Sequence, residues 1–143
     1  MVDVQVETFI ARPPADVAAY AGDPSNAPEW YANIRSVEWR TEPPVRVGSE
    51  MDFVAKFLGR RLAYTYRVVE LAEGDRLVME TAHGPFPMRT TYTWEQAEGG
   101  TRMTLRNTGE PRGFGKVSAP AMAVAMKRAT TKDLARLKAI LER

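Results

Sequence analysis

The stretch that decides the fold is Ala123-Val124-Ala125-Met126-Lys127-Arg128-Ala129-Thr130-Thr131-Lys132-Asp133-Leu134-Ala135-Arg136-Leu137-Lys138-Ala139-Ile140-Leu141. Ala123, Met126, Thr130, Leu134, Leu137 and Leu141 recur at steps of three and four, while Lys127, Arg128, Lys132, Arg136 and Lys138 fall elsewhere on the helical wheel. The spacing predicts one helix from about Phe114 to Glu142. Roughly 25 residues at ~1.5 Å each run about 37 Å. A strand of about ten residues covers a similar ~33 Å. A terminal helix of that length can lie across a curved antiparallel sheet and close it into a box, and a box under a wide sheet leaves a hollow.

Upstream of that helix the pattern is one of paired strands. Val4, Val6, Thr8 and Ile10 alternate with Asp3, Gln5, Glu7 and Phe9, until Arg12-Pro13-Pro14 stops the strand. Ala15 to Tyr20 reads as a short helix ending at Gly22. Asp23-Pro24-Ser25-Asn26 starts a second one that carries Trp30 and Tyr31. Strands follow at 35–40, 49–57, 60–71, 76–83, 88–96 and 101–107. Turn residues separate them, among them Leu58-Gly59, Ala72-Glu73-Gly74-Asp75, Gly84-Pro85-Phe86-Pro87 and Glu98-Gly99-Gly100. Links this short imply hairpins, hence an antiparallel meander. The expectation is an α+β fold in a single domain, 1–143.

Composition sets what such a domain can do. The chain has 143 residues, no cysteine and a formal net charge of +2. That length can bury a real core, and disulfide and thiolate chemistry are excluded. No apolar run approaches a membrane span, and Met1-Val2-Asp3-Val4 lacks the pattern of a signal peptide. The expectation is a cytoplasmic protein with no integral membrane segment and no nucleic-acid partner, as a monomer or homodimer. From Lys116 onward seven Lys/Arg stand against Asp133 and Glu142. A basic outer helix face follows: either a solvated surface or a contact for an anionic membrane or an RNA.

Strand alternation assigns the inner face, because the charged residues Glu50, Asp52, Lys56, Arg67, Glu80, Arg89, Glu95, Arg102 and Arg106 share one parity. The other parity holds Trp39, Met51, Phe53, Phe57, Leu62, Tyr64, Tyr66, Val68, Leu77, Met79, Thr81, His83, Met88, Thr90, Tyr92, Trp94, Met103, Leu105 and Asn107. A dry core favours Val, Ile and Leu. Three Tyr, two Thr, one His and one Asn on this face each need a partner, or cost on the order of 1–3 kcal/mol. The set fits a partly polar small-molecule pocket.

At these residues the chain resembles a family. The junction Ile10-Ala11-Arg12-Pro13-Pro14-Ala15-Asp16-Val17 is similar to the strand-to-helix entry of the START-related superfamily (SRPBCC). Asp23-Pro24-Ser25-Asn26-Ala27-Pro28-Glu29-Trp30 resembles its second short helix. Val47-Gly48-Ser49, Tyr66-Arg67-Val68-Val69-Glu70-Leu71 and Asp133-Leu134-Ala135-Arg136-Leu137-Lys138 also fit. The resemblance implies the helix-grip fold: a seven-stranded curved antiparallel sheet wrapped around a long C-terminal helix, with two short helices after the first strand. The family it resembles includes lipid carriers, polyketide cyclases, hydroxylase domains and chaperone-like modules.

Candidate ligand-binding residues are Trp39, Phe53, Tyr64, Tyr66, Thr81, His83, Thr90, Tyr92, Met103, Asn107, Met122 and Met126. Of these, Met122 and Met126 would give the pocket an adaptable helical floor. His83 is the single histidine and as an imidazole would suit a general base, or else it is a hydrogen-bonded rim residue. Trp30 and Tyr31 either form part of a lid or plug the core. With one histidine and no inward carboxylate pair, no metal or cofactor is expected. Gly113-Phe114-Gly115-Lys116 lacks the spacing of a phosphate loop.

Three functions stay open. The first is binding of a hydrophobic or aromatic small molecule (a lipid, quinone or polyketide-like compound) in the cavity. The second is a cyclase/dehydratase in which Tyr64, Tyr66, His83 or Asn107 steers proton transfer. The third is a protein-interaction or chaperone-like module.

Overall fold

The computed structural model describes residues 1–110 and 117–143. Its elements are β1 (Val2–Ile10), α1 (Pro14–Ala21), a 3-10 turn (Pro24–Asn26), α2 (Ala27–Trp30), β2 (Ile34–Trp39), β3 (Glu50–Phe57), β4 (Arg60–Ala72), β5 (Arg76–His83), β6 (Met88–Ala97), β7 (Gly100–Gly109) and α3 (Ala119–Leu141). All seven strands form one antiparallel sheet in the order β1-β7-β6-β5-β4-β3-β2. β2 to β7 are therefore a plain meander, and β1 returns to pair with the last strand. This is the helix-grip fold expected from the sequence.

The expected helix is shorter at its start. α3 has 23 residues, and its N-cap is Ser118, whose hydroxyl accepts from the Ala121 amide at 3.2 Å. The part of the expectation that fell on Phe114–Lys116 lies outside the described residues, as does the Gly113–Lys116 motif. Met122, Thr130, Leu134, Leu137 and Leu141 are buried along the inner stripe, and so is Asp133.

Register is fixed from both faces. On the outer face Glu50 stands opposite Arg67, Glu80 opposite Arg89 and Glu95 opposite Arg102, with ion-pair distances of 2.7, 2.8 and 3.4 Å. Exposed pairs of this kind contribute only about 0–1 kcal/mol each. Their value is in register: a one-residue slip would turn Phe53, Tyr66 and Tyr92 to solvent.

Two irregularities in β4–β5 interrupt the alternation. Tyr66 faces Thr81 and Thr65 faces His83, so Ala82 is an extra residue on β5. The inserted residue reverses the parity beyond it. His83 is thus exposed on the outer side, where an inward position was expected.

The tight turn between β3 and β4 is Leu58-Gly59, with φ of 51° and 78°. Two positive φ values in a two-residue loop match the right-handed twist of the flanking strands.

Candidate functional site

Between the sheet and α3 lies a cavity of about 150 Å³. Several regions build its wall. β3 and β4 supply Phe53, Ala55, Phe57, Leu62, Tyr64 and Tyr66, and the central strands supply Leu77, Met79, Met88, Thr90, Tyr92 and Asn107. Tyr31 and Asn33 reach in from the α2–β2 link. Met122, Met126, Ala129, Thr130 and Asp133 come from the first two-thirds of α3. At the far end of β7, Gly109 passes so close to the β5–β6 loop that a Cβ there would lie 2.6 Å from the Pro87 oxygen.

The aromatic rings pack on one another. Phe53 stacks on Tyr64 at 5.6 Å between centroids, and Tyr66 meets Tyr64 edge-on at 5.1 Å. Their polar ends form two separate strings. In the first, Thr90 donates to Asn107 Oδ1 at 2.6 Å, so Thr90 accepts from the Tyr66 hydroxyl at 2.7 Å. In the second, the Tyr31 and Tyr92 hydroxyls share a hydrogen bond of 2.5 Å. Burial raises the pKa of Tyr31, Tyr64, Tyr66 and Tyr92, so all four phenols stay neutral at physiological pH.

Asp133 adds the one deeply buried ionisable carboxyl among the described residues. Only 4% of its surface is exposed, and Oδ1 accepts from the Ala32 amide at 3.0 Å. Burial pushes its pKa up to about 6, against the opposing pull of the Ala32 amide and the Arg136 charge. Its charge also acts on the Tyr31 and Tyr92 phenols.

Of the expected pocket residues, Phe53, Tyr64, Tyr66, Thr90, Tyr92, Asn107, Met122 and Met126 line the cavity. Trp39, Thr81, His83 and Met103 do not. Trp39 sits on edge strand β2, donates from Nε1 to Ser25 Oγ at 2.8 Å and lines a surface groove with Pro43, Pro44, Leu71 and Trp94. That groove is the larger hollow, about 880 Å³, but exposed residues such as Ala15, Ala19 and Glu73 form its rim.

The Thr81 hydroxyl locks the β5–β6 hairpin, accepting from the Met88 amide at 3.1 Å and donating to its carbonyl at 3.2 Å. Met103 is fully buried beyond the cavity's end, opposite Trp94 and Thr8. His83 is carried outside by the bulge. The Trp30–Tyr31 alternative divides between its two members. Trp30 is a fully buried core residue, whereas Tyr31 turns its hydroxyl into the cavity.

Asp133 is the residue that composition-level reading passes over, because a charge on a basic helix looks solvated. The signal was its place three residues after Thr130 and four before Leu137, within the inner stripe.

A sheet curled round a helix above an aromatic cavity defines a helix-grip protein of the START-related class. The family described as "Polyketide cyclase / dehydrase and lipid transport" matches residues 1–142, and the chain belongs to that family. Among solved structures, TTHA0849 from Thermus thermophilus is 20% identical, with a TM-score of 0.83 over 97% of this chain and 96% of its own. A START superfamily protein from Mycobacterium smegmatis is 13% identical, with a TM-score of 0.84 over 98% and 97%. The Zhui aromatase/cyclase from Streptomyces sp. R1128 is 15% identical, with a TM-score of 0.79 over 99% and 93%. At these identities the likeness is one of fold. No curated protein sequence matches the chain. Family and fold together support a ligand-binding or polyketide cyclase-like role. No helix among the described residues is long and apolar enough to cross a membrane.

Proposed function

We propose that the domain binds a small hydrophobic or aromatic molecule in the cavity between sheet and α3. One observation carries this: a hollow walled by aromatic and thioether side chains, with polar groups at a few fixed points. Its volume narrows the class. Ligands of drug size occupy roughly 300–1,000 Å³, whereas a cavity of about 150 Å³ in another protein takes up benzene. At about 150 Å³ this one suits a single ring with a short substituent. A long polyketide or a two-chain lipid would require Met122 and Met126 to repack.

The test is native mass spectrometry of the protein purified from its own host, with the same measurement on Ala129→Phe, which fills the cavity from the helix side. A retained small molecule that is lost in the variant supports the reading. A protein that is empty and takes up no single-ring aromatic on titration overturns it.

A second reading, a cyclase or dehydratase, is favoured by Asp133. A carboxyl with a pKa near 6, within electrostatic reach of two phenols, suits proton transfer to or from a bound carbonyl compound. Turnover of a short poly-carbonyl substrate that disappears in Asp133→Asn, with binding retained, is its expected signature.

A further inference from the structure

Among the described residues, the charge that lines the cavity is one-sided. Asp133 and Glu110 line it, and among the described residues no Lys, Arg or His does. The two carboxyls differ. Glu110 is half-buried at the β7 end and faces the N-terminal ammonium at 3.8 Å. Asp133 is buried, lines the cavity, and accepts from the Ala32 amide through Oδ1. For the fold alone an asparagine would keep the Ala32 contact without a buried charge.

The chemistry of a ligand follows from this imbalance. A carboxylate ligand would bring like charge against Asp133. A neutral ligand would exclude water from Asp133 and force it to take up a proton. A cation offsets the penalty, because its N–H groups donate to the buried carboxylate. The phenol rings beside it add the attraction of an aromatic face for a cation.

We propose that the cavity selects small arylalkyl amines, with the ammonium on Asp133 and the ring among Phe53, Tyr64 and Tyr66. This rests on the cavity being a binding site at all, and it names the charge of what binds there. The groups facing Asp133 are the Tyr31 phenol and the Ala32 amide from the α2–β2 link, Tyr92 from β6, and Arg136 one turn along its own helix. Among the described residues the cation there is Arg136, and its Nε is committed to the Glu29 carbonyl at 2.5 Å.

The experiment is calorimetric titration with three probes that share one ring: 2-phenylethylamine, 2-phenylethanol and 3-phenylpropionate. At pH 7.5 the amine is expected to bind at least tenfold more tightly than the alcohol, and the carboxylate most weakly. In Asp133→Asn the amine should fall to the level of the alcohol. In the unaltered protein the preference for the amine should shrink as the pH is lowered through about 6, where a proton competes for the same carboxylate. This second measurement stands even if the variant folds poorly.

An alcohol or carboxylate that binds as tightly as the amine overturns the proposal. So does a preference that survives Asp133→Asn or is flat with pH. Alcohol binding that Ala129→Phe abolishes, without any preference for the amine, leaves the cavity a binding site and removes only its selectivity. Failure of all three probes to bind removes both.

Discussion

The two ends of the space between sheet and α3 are built from the same strands and the same helix, yet one is solid and the other hollow. Toward the C-terminal end of α3, Leu134, Leu137 and Leu141 join Ile10, Val17, Trp94, Met103 and Leu105 in a dry core. Toward its N-terminal end, Met122, Met126, Thr130 and Asp133 face Tyr64, Tyr66, Thr90 and Asn107 across a cavity. The backbone geometry is shared, so the side chains make the difference. Leucines interdigitate to fill space, whereas tyrosines anchored by their hydroxyls to Thr90 or to one another are held as walls. The polar strings keep the cavity from collapsing, and the dry end supplies the stability that a hollow cannot.

That division is open to a direct comparison, which also carries the largest expected effect. Leu137→Ala removes a fully buried side chain from the packed end and should cost about 2–5 kcal/mol in denaturant unfolding, with ligand affinity unchanged in the protein that remains folded. Met126→Ala removes a half-buried side chain that already borders empty space. It should cost only about 1 kcal/mol and admit a bulkier ligand. Equal losses from the two would show that the ends are not separate.

Asp133 sharpens the contrast, since it is a polar group whose burial works against the fold. Its folded pKa of about 6 lies above the ordinary carboxylate value near ~3.9. Between those values the folded protein holds the extra proton, so this group makes stability fall as pH rises from about 4 to 6. Asp3 and Glu142 have lowered pKa values and act in the opposite sense in acid, but they are common to both proteins and cancel in a difference. Asp133→Asn should therefore match the unaltered protein near pH 4 and exceed it by up to about 2 kcal/mol above pH ~6.5. A difference that does not vary with pH would mean that Asp133 is not buried as a charge.

How much of this was legible in the sequence follows from what each level of structure depends on. Helix and strand periods depend on local pattern, so the antiparallel meander, the long helix and the charged outer face could be read directly. A cavity depends on where walls fail to meet, which no local pattern records. Trp39 and Met103 carry the right parity but lie beyond the hollow's ends. His83 was lost to one inserted residue, because alternation counts residues and Ala82 breaks the count. Asp133 was legible in principle, as a charge within an apolar stripe, but the surrounding lysines and arginines made it look like surface.

The smallest expected effect lies at the hairpin beside the hollow, where Phe57 and Leu62 line the cavity on either side of Leu58-Gly59. Leu58 holds a φ of 51° and is half exposed, so its side chain gains little burial in return for a backbone conformation that costs an L-residue ~1–2 kcal/mol. Asparagine tolerates that conformation and suits the first position of such a turn. Leu58→Asn should raise stability by about 0.5–1 kcal/mol, read as a higher Tm. If ligand affinity stays constant while Tm rises, the hairpin is a scaffold for the wall. If affinity falls as the turn is relieved, the bound ligand depends on a β3–β4 wall that yields, and the hollow end is then soft for a functional reason that the dry end does not share.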